Sequence, residues 1–501
     1  MFTKILIANR GEIAVRIMRT CREMGIATVA VFSEADRKAL HVRYADEAYC
    51  VGPPPAIESY LDSEAILAVC RKTKAQAVHP GYGFLSENRD FACKCRDAGL
   101  VFIGPEPDVI EQMGNKTVAR RTMIAHGVPV IPGTTRELEN VDEVFAVCRE
   151  IGYPVMLKAA AGGGGKGMRI VRQPEELRDA FHAVRREAHG AFADTRILAE
   201  KYFPVSRHIE VQILADAYGN VVHLFERECS IQRRYQKVIE ECPSVFVDDE
   251  LRARLTAAAV RAVRAVGYTG AGTVEFLVDE GKNFYFLEMN TRIQVEHSVT
   301  ELVTGTDVVR EQLRAAAGLP LSIGQAEVVR RGAAVECRIY AEDPRNNYMP
   351  APGRLQKVVL PEGPGVRVDS GVYEGWEVSL HYDPMIAKIS VWGRTREEAR
   401  LRMLRALGES VFCGVKTNLE LHRHVLTDEH FIRGEMDTRF LDDYFVDKAE
   451  GSHQDHDLAI IGAICDSLAS SGGRQMDGSS SLPESGMWRM AGKYQFWSTR
   501  F

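Results

Sequence analysis

The sequence predicts a protein of α/β and α+β class that opens with a doubly wound, mostly parallel sheet. The first hundred residues alternate short apolar strands with amphipathic helices, starting with a strand at 4–8, a helix at about 12–24 and a strand at 27–32. This alternation is typical of parallel sheets covered by helices on both faces. Later strands form hairpins among helices at about 306–317 and 396–407, so α+β character continues to about residue 446.

Composition narrows the class of protein. The 501 residues suffice for two or three domains, and the net charge of −6 argues against a nucleic-acid partner. No apolar run approaches the ~20 residues that would span a membrane. Eleven scattered cysteines without a Cys-x-x-Cys pair indicate reduced thiols. We therefore expect a cytoplasmic protein that does not contact membranes.

A glycine-rich loop lies between two predicted strands, at 153–158 and 168–171. It reads Ala159-Ala-Ala-Gly-Gly-Gly-Gly-Lys-Gly167, and Lys158 precedes it directly. Glycines let backbone N–H groups approach phosphates, and such a loop can close over a nucleotide as a lid. The Walker A pattern is absent. The flanking strands and lysines favour a phosphate loop over the alternative, a flexible linker.

A predicted hairpin brings two carboxylates together. Residues 272–279 and 284–288 read as strands, with a four-residue turn between them that would pair Asp279 with Phe284 and Glu275 with Glu288. Like charges directly opposite each other destabilise a hairpin, and a divalent cation between them removes that penalty. Mg²⁺ prefers carboxylates together with phosphate oxygens. The hairpin therefore predicts a metal site.

The polar residues that follow this hairpin are the strongest functional signal. In an extended chain, alternate side chains share a face. The shared face would carry Glu288, Asn290, Arg292, Gln294 and Glu296. Two carboxylates, two amides and a guanidinium suit a metal and an anionic reactant, whereas the alternative is a solvated edge strand with incidental ion pairs.

Other polar positions remain open on sequence alone. Residues 207–213 alternate, and the pattern places Ile209, Val211 and Ile213 in the core and His208 on the polar face. Three cations, at 233, 234 and 237, accompany Tyr235 and two glutamines, a mixture that suits either an anion pocket or a solvated surface. Lys116 alone is typical of a surface charge.

These motifs together resemble the biotin carboxylase component of biotin-dependent carboxylases, a member of the ATP-grasp superfamily. The resemblance covers about residues 1–446. It rests on Ile7-Ala-Asn-Arg-Gly-Glu-Ile-Ala14, His79-Pro-Gly-Tyr-Gly-Phe-Leu-Ser-Glu-Asn88, the glycine loop, residues 288–297 and His381-Tyr-Asp-Pro-Met-Ile-Ala-Lys388. Ser298 replaces a proline that is usual in the family, from which we expect a local loop effect.

The resemblance implies an ATP-grasp fold with three domains. We expect an N-terminal domain at 1–114, an ATP-grasp domain at 115–315 with a lid at about 131–203, and a C-terminal α+β domain at 316–446. Residues 447–501 fall outside the resemblance. They contain a Gly- and Ser-rich linker at 470–483 and an aromatic-rich end at 488–497, which we interpret as a possible docking tail for a partner.

The resemblance also implies the site residues. The positions that hold ATP are Lys116, Lys158, Gly164, Gly165, Glu200, Lys201, Phe203, His208 and Tyr235, the last standing where the best-known bacterial members have histidine. The ligands of Mg²⁺ (or Mn²⁺) are Glu275, Glu288 and Asn290, and the bicarbonate site comprises Lys237, Arg292, Gln294 and Val295. Glu296 is the base, and Arg338 lies beside the ureido oxygen of biotin.

The implied reaction is the carboxylation of biotin through carboxyphosphate, formed from bicarbonate and MgATP. The sequence lacks an Ala-Met-Lys-Met attachment site, so we expect biotin on a separate carrier protein or domain, with a separate carboxyltransferase. The chain would be a homodimeric subunit of a multi-chain acyl-CoA or 2-oxo acid carboxylase. The rival hypotheses are an ATP-grasp ligase that joins an acyl phosphate to an amine, and an ATP-binding regulatory subunit without catalysis.

Overall fold

A computed structural model describes residues 1–138, 140–160, 167–192 and 195–445 of the chain. Gly164, Gly165 and the predicted tail at 447–501 lie outside the described residues. No helix in the described ranges is both long enough and apolar enough to cross a membrane.

The N-terminal region is the predicted doubly wound sheet. Its five strands are all parallel, in the order β3-β2-β1-β4-β5. The elements are β1 (Lys4–Ile7), α1 (Gly11–Glu23), β2 (Ala27–Ser33), α2 (Leu40–Tyr44), β3 (Glu47–Gly52), α3 (Ser63–Thr73), β4 (Ala77–His79), α4 (Arg89–Asp97), β5 (Val101–Phe102), α5 (Pro107–Gly114) and α6 (Lys116–Ala125). The three central strands, β2, β1 and β4, are buried on both faces, as the apolar runs predict, and the edge strands β3 and β5 are partly exposed.

The region of the predicted lid contains a small antiparallel sheet with its own core. The elements are α7 (Val141–Ile151), β6 (Val155–Ala159), β7 (Met168–Val171), α8 (Leu177–Phe192) and β8 (Ile197–Lys201). The strand order is β7-β6-β8, and both helices pack on these strands through a separate apolar cluster. The strands on each side of the glycine loop are therefore confirmed.

The central and C-terminal regions share one antiparallel sheet of eight strands among the described residues, in the order β13-β12-β9-β10-β11-β14-β21-β19. Its central part comprises β9 (Arg207–Ala215), β10 (Val221–Arg233), β11 (Gln236–Cys242), α9 (Asp249–Ala265), β12 (Gly270–Val278), β13 (Phe284–Asn290), α10 (His297–Thr304) and α11 (Val308–Ala316). The helix α9 covers one face of β9 and β12.

The C-terminal region adds strands β14 (Ala333–Tyr340), β15 (Glu342–Asp343), β16 (Met349–Pro350), β17 (Gly353–Arg354), β18 (Lys357–Val359), β19 (Val366–Ser370), β20 (Glu377–Val378), β21 (Met385–Gly393) and, after α12 (Arg396–Glu409), β22 (Val411–Cys413). The chain continues with α13 (Leu419–Thr427), α14 (Glu429–Arg433) and α15 (Phe440–Phe445). These helices pack with β11, β14 and β21 in the largest apolar cluster. The predicted boundary at 315/316 thus falls between strands of one continuous sheet.

The predicted hairpin is correct at the carboxylates and wrong at its turn. Glu275 lies opposite Glu288, as predicted, but Phe284 pairs with Val278 rather than with Asp279. A bulge between Glu275 and Phe276 shifts the register by one residue, which restores the predicted pairing beyond it. Asp279 instead accepts a hydrogen bond within the turn from the backbone N–H of Asn283, at 2.8 Å.

Candidate active site

The site lies on the face of the central sheet that α9 does not cover. Alternation along β9 sends Ile209, Val211 and Ile213 into the apolar cluster beneath α9, as predicted. The opposite side chains of β9 are polar, yet they are buried too. One row across four neighbouring strands carries Arg227, Glu210, Glu275 and Glu288, each directly opposite the next. Arg227, Glu210 and Glu275 are buried, whereas Glu288 on the edge strand is exposed. Burying the first three charges requires close ion pairing.

Lys237 supplies that pairing. Its ammonium donates to Glu275 at 2.9 Å and to Glu296 at 2.7 Å, and it also donates to Glu210. Burial alone would raise the pKa of Glu296, but the charges of Lys237 and Arg338 hold that pKa well below its usual range. Lys237 therefore joins the carboxylate predicted to bind metal to the carboxylate predicted to act as base, and together with Arg338 it keeps the base ionised.

Arg338 reaches the same carboxylate from β14. Its Nη2 donates to Glu296 at 2.9 Å, and its Nε donates to Glu240 at 2.5 Å. Burial raises the pKa of Glu240 to about 8, although the arginine lowers it. The structure thus brings Lys237, Glu296 and Arg338 together, as the resemblance implies, and adds Glu240 as the anchor of the guanidinium.

The segment after Asn290 is not an extended strand, which corrects the prediction. Strand β13 ends at Asn290, residues 291–296 turn, and α10 begins at His297. The reason is that the backbone N–H of Thr291 donates to Glu87 of the N-terminal region, at 3.1 Å, instead of to a neighbouring strand. The polar side chains nevertheless converge, because the turn folds back over the sheet.

Arg292 lies at the junction of the two regions. Its Nε donates to Glu87 at 2.8 Å, and its Nη2 donates to Oδ1 of Asn290 at 2.8 Å. Burial lowers the pKa of this guanidinium, but the charge of Glu87 outweighs it and raises the pKa, so Arg292 stays charged. A guanidinium held by one carboxylate keeps further N–H donors for a planar anion.

Gln294 and Val295 complete the predicted anion-binding stretch. The Nε2 of Gln294 donates to Oε1 of Glu275 at 2.7 Å. Val295 is half-buried, and its carbonyl accepts a hydrogen bond from Lys388, a side chain with no solvent exposure. These contacts attach the stretch between Arg292 and Glu296 to strands β12 and β21 of the sheet.

The predicted metal ligands fit a divalent cation. Asn290 donates from Nδ2 to Glu275 at 2.8 Å, which leaves its amide beside the carboxylate pair. Enclosure by protein and the like charge of Glu275 raise the pKa of Glu288. No described residue donates a hydrogen bond to Glu288. The two facing carboxylates offer the hard oxygen atoms that Mg²⁺ prefers, whereas the amide oxygen of Asn290 accepts from Arg292 in this structure.

Cations gather where the predicted lid meets the sheet. The ammonium of Lys158 is 2.5 Å from Oε2 of Glu200, and Arg120 is 3.5 Å from Oε1 of the same carboxylate. Burial and the like charge of Lys158 lower the pKa of Lys116. The two lysines predicted to bind ATP therefore lie close enough together for the charge of one to lower the pKa of the other.

The remaining predicted nucleotide residues play unequal parts. The ammonium of Lys201 is bound to the backbone carbonyls of Gly152 and Tyr153, so it braces the lid. Phe203 stacks on Tyr285 at 4.9 Å between ring centroids. Although burial opposes it, the carboxylate of Glu275, 2.9 Å away, raises the pKa of His208.

Tyr235 lies apart from the buried cluster. It is 59% exposed at the tip of the β10–β11 hairpin, where both Arg234 and Tyr235 have positive φ. Two-residue hairpin turns require this left-handed backbone. The structure therefore places Tyr235 at the rim of the site, two residues before Lys237.

Several residues of the site were not identified from the sequence. Glu87, Glu210, Arg227, Glu240 and Lys388 all contact predicted site residues. Period-two alternation placed His208 on the polar face of its strand, and the same count carried two residues further would have found Glu210. Glu87 belongs to a quoted motif, but nothing local in the sequence connects it with Arg292, 205 residues away.

Comparison with known families accounts for this arrangement. Residues 1–110 match the family described as "Biotin carboxylase, N-terminal domain", and residues 336–443 match "Biotin carboxylase C-terminal domain". Residues 115–324 match "Carbamoyl-phosphate synthase L chain, ATP binding domain". Biotin carboxylase 1 of Bacillus subtilis is 53% identical over 447 residues, which cover 89% of this chain and 99% of that protein. The chain belongs to the biotin carboxylase family.

Other relatives and solved structures agree with the assignment. A pyruvate carboxylase subunit of Methanothermobacter thermautotrophicus is 52% identical over 444 residues, 89% of this chain and 90% of that protein. A crystal structure of the biotin carboxylase domain dimer of Hydrogenobacter thermophilus 2-oxoglutarate carboxylase, with MgADP, ADP and bicarbonate, superposes with a TM-score of 0.86 at 46% identity. The superposed region covers 88% of this chain and 98% of the Hydrogenobacter chain.

Membership confirms the predicted ATP-grasp fold and the enzyme class, an ATP-dependent biotin carboxylase. A biotin carboxylase from Campylobacter jejuni, solved with a nucleotide, also has a TM-score of 0.86, at 44% identity over 89% of this chain and 99% of that one. The two rival hypotheses, an acyl phosphate–amine ligase and a non-catalytic regulatory chain, are therefore not supported. The relatives include subunits of multi-component carboxylases.

Proposed function

We propose that this chain carboxylates biotin on a separate carrier protein, with bicarbonate as the carbon source and ATP as the energy source. The observation that carries the proposal is the contact of Lys237 with both Glu275 and Glu296. This contact places Glu275, a proposed metal ligand, and Glu296, the proposed base, within one buried cluster. A reactant held there can receive a phosphoryl group and lose a proton without moving.

The nucleotide is held at the lid side of this cluster. Lys116 and Lys158 face its phosphates, with Glu200 holding Lys158 in place. Gly164 and Gly165 of the glycine loop, Lys201, Phe203, His208 and Tyr235 complete the proposed nucleotide site. Lysines placed around a terminal phosphate stabilise the charge that develops during phosphoryl transfer.

Bicarbonate lies between Arg292 and Glu296. The guanidinium of Arg292 clamps the planar anion, with Lys237, Gln294 and Val295 around it. Bicarbonate is a poor nucleophile until it is deprotonated, and ionised Glu296 is placed to accept that proton. Glu275, Glu288 and Asn290 would hold Mg²⁺ (or Mn²⁺), which neutralises phosphate charge when bound.

Arg338 acts at the biotin end of the site. Carboxyphosphate breaks down to CO₂ and phosphate, the phosphate accepts the proton of the ureido nitrogen, and that nitrogen then bonds to CO₂. Loss of the proton leaves negative charge on the ureido oxygen. Arg338, held by Glu240 and Glu296, presents a guanidinium that stabilises that charge. A closed lid would keep carboxyphosphate from water.

The test measures transfer of labelled carbon. The purified chain is supplied with Mg²⁺, ATP, labelled bicarbonate and free biotin, or a biotinylated carrier. We expect labelled biotin and bicarbonate-dependent release of ADP. Arg292→Ala should abolish bicarbonate-dependent ATP turnover, whereas Arg338→Ala should lose biotin labelling and still bind nucleotide. Arg405→Ala, an exposed pair of Glu409 on α12, is the control. A chain that binds MgATP yet never labels biotin, with its carrier supplied, contradicts the proposal.

The partners follow from the same reaction. We propose a homodimer in the cytoplasm that works with a biotin carboxyl carrier protein and a carboxyltransferase subunit. The match to 90% of a pyruvate carboxylase subunit supports a division of the reaction between separate chains. Residues 447–501 are proposed as a docking tail. Removing residues 450–501 should weaken copurification with the partner chains, and unchanged assembly would contradict the docking role.

A further inference from the structure

Arg227, in the middle of β10, is a fully buried arginine to which the proposed reaction gives no role. It has no solvent exposure, and Glu210 lies directly opposite it. Each of its five N–H donors has an acceptor. The contacts are Nε to Glu210 at 2.5 Å, Nη1 to Gln212 at 2.8 Å and Thr300 at 2.9 Å, and Nη2 to Gln294 at 2.6 Å and Thr273 at 3.2 Å.

The contact with Gln294 determines which way that amide faces. An arginine has donors only, so the atom of Gln294 beside Nη2 must be the oxygen. The NH₂ group then lies on the other side, where it donates to Glu275 at 2.7 Å. Reversing the amide would place donors against Arg227 and an oxygen against the carboxylate of Glu275. Both errors would be buried, where unmatched polar groups are costly.

Arg227 also holds the far end of the anion-binding turn. Thr300 is the fourth residue of α10, so the guanidinium connects this helix to the sheet. Residues 294 and 300 lie on the two sides of Glu296. Arg227 also contributes to the low pKa of Glu296, after Lys237 and Arg338.

We propose that Arg227 is a positioning residue of the bicarbonate site, which fixes the amide of Gln294 so that its NH₂ group faces away from Arg227, with one N–H on Glu275 and the other left for the anion. The inference rests on the proposed bicarbonate role of Gln294. Arg227 does not touch the reactant itself. It acts through Gln294, and through α10 on the carboxylate of Glu296.

The first experiment is a double-mutant cycle on the KM for bicarbonate. Arg227→Lys keeps the charge but cannot supply five fixed donors. We expect it to raise KM for bicarbonate by about 10- to 100-fold, the effect of losing one well-placed hydrogen bond to a charged group. The KM for ATP should change by less than about threefold. Gln294→Ala should raise KM for bicarbonate similarly, and the double variant should be little worse than either single one.

The outcomes separate the inference from the proposed function. If Gln294→Ala leaves KM for bicarbonate unchanged, the assigned bicarbonate site is wrong and the inference falls with it. If Gln294→Ala raises KM but Arg227→Lys does not, or if the two effects multiply, only the inference is overturned. The matched control is Arg252→Lys, a buried arginine that binds Glu226, the neighbour of Arg227 on the opposite face of β10. It should leave KM for bicarbonate unchanged.

A second measurement needs no substitution, in case Arg227→Lys does not fold. Neutron diffraction from deuterated wild-type crystals distinguishes an amide NH₂ from an oxygen, which X-ray data at ordinary resolution do not. Two deuterons on Gln294 directed away from Arg227 support the inference. Deuterons directed toward Arg227 overturn it.

Discussion

At the scale of single residues, the site depends on cations that bridge carboxylates. Lys237 contacts three of them, and Arg338 contacts two. Removing a cation from such a cluster leaves carboxylates buried together, whereas removing one carboxylate leaves the cations partly matched. Carboxylate variants are therefore the more interpretable probes of chemistry.

We predict that Glu296→Gln lowers kcat for bicarbonate-dependent ATP turnover by ~10²–10⁴-fold, the usual contribution of a general base. The amide keeps the size of the side chain, although its single oxygen can accept from only one of Lys237 and Arg338, which bind different oxygens of Glu296. Neither of these two cations belongs to the proposed nucleotide site. Nucleotide affinity, measured by titration calorimetry, should therefore change by less than about threefold. A variant that retains more than about a tenth of the wild-type kcat would show that another group accepts the proton.

At the scale of elements, the β12–β13 hairpin contains an unfavourable pairing of like charges. Glu275 and Glu288 are directly opposite each other, and the like charge contributes to the raised pKa of Glu288. A hairpin selected for stability alone would place an opposite charge or a neutral residue there.

We predict that Glu288→Gln makes the metal-free protein slightly more stable, by about 0.2–1 kcal/mol, because the repulsion across the hairpin is removed. The same change should weaken Mg²⁺ binding and lower activity at limiting Mg²⁺. Urea unfolding with and without Mg²⁺ measures both effects. Glu280→Gln, in the exposed turn of the same hairpin, is the control and should alter neither. A destabilised metal-free Glu288→Gln would contradict this account.

The helix α10 contains Ser298, where this sequence departs from the family pattern. Ser298 is buried in its first turn, where its hydroxyl donates to Glu336 and lies 2.8 Å from Oγ of Ser390. The family resemblance has proline at this position, and the expected loop effect becomes an interior hydrogen bond between α10, β14 and β21.

We predict that Ser298→Ala lowers the free energy of unfolding by about 1–3 kcal/mol, because the buried carboxylate of Glu336 loses a donor. Thermal unfolding of the variant measures this loss. Thr427→Ala, which removes an exposed hydroxyl at the end of α13, should cost much less. Equal melting temperatures for Ser298→Ala and the wild type would show that the hydroxyl contributes nothing.

Sequence patterns predicted the elements better than the contacts between them. Period-two alternation placed Ile209 and His208 on opposite faces of β9 because that information is local. The extended strand predicted through Glu296 was wrong because Thr291 and Arg292 find their partner, Glu87, 204 and 205 residues earlier in the chain. Such long-range pairing leaves no periodic signal. The contacts of Lys237 with three carboxylates likewise depend on the order of strands in the sheet, which period-two alternation does not predict.

At the scale of the whole molecule, buried neutral histidines make stability depend on pH. Burial lowers the pKa of His41 in the N-terminal region and of His422 in the C-terminal region to about 4 each. Below about pH 6.5 these two histidines bind protons in the unfolded chain, whereas in the folded chain they stay neutral until the pH approaches 4. Each therefore contributes less to stability as the pH falls from about 6.5 toward 4.

We predict that acidification from pH 7 to pH 5 costs roughly 2 kcal/mol of stability for each of these two histidines. Urea unfolding midpoints at the two pH values measure the loss. His422→Gln should reduce the pH dependence, whereas His424→Gln, on the exposed side of the same helix, should leave it as in the wild type. An unchanged pH dependence in His422→Gln would contradict the assignment.

The eight-stranded sheet has a practical consequence for anyone who engineers the chain. The seam between β11 and β14 joins residues 239–242 to residues 334–337 across the predicted 315/316 boundary. If the chain is cut at 315/316 and each half is produced alone, β11 and β14 each become an edge strand with unpaired backbone N–H and C=O groups. Such exposed edges promote self-association. When both halves are produced together, we expect β11 and β14 to pair again and to restore the enzyme. Chimeras with relatives should therefore exchange both sides of this seam as one unit.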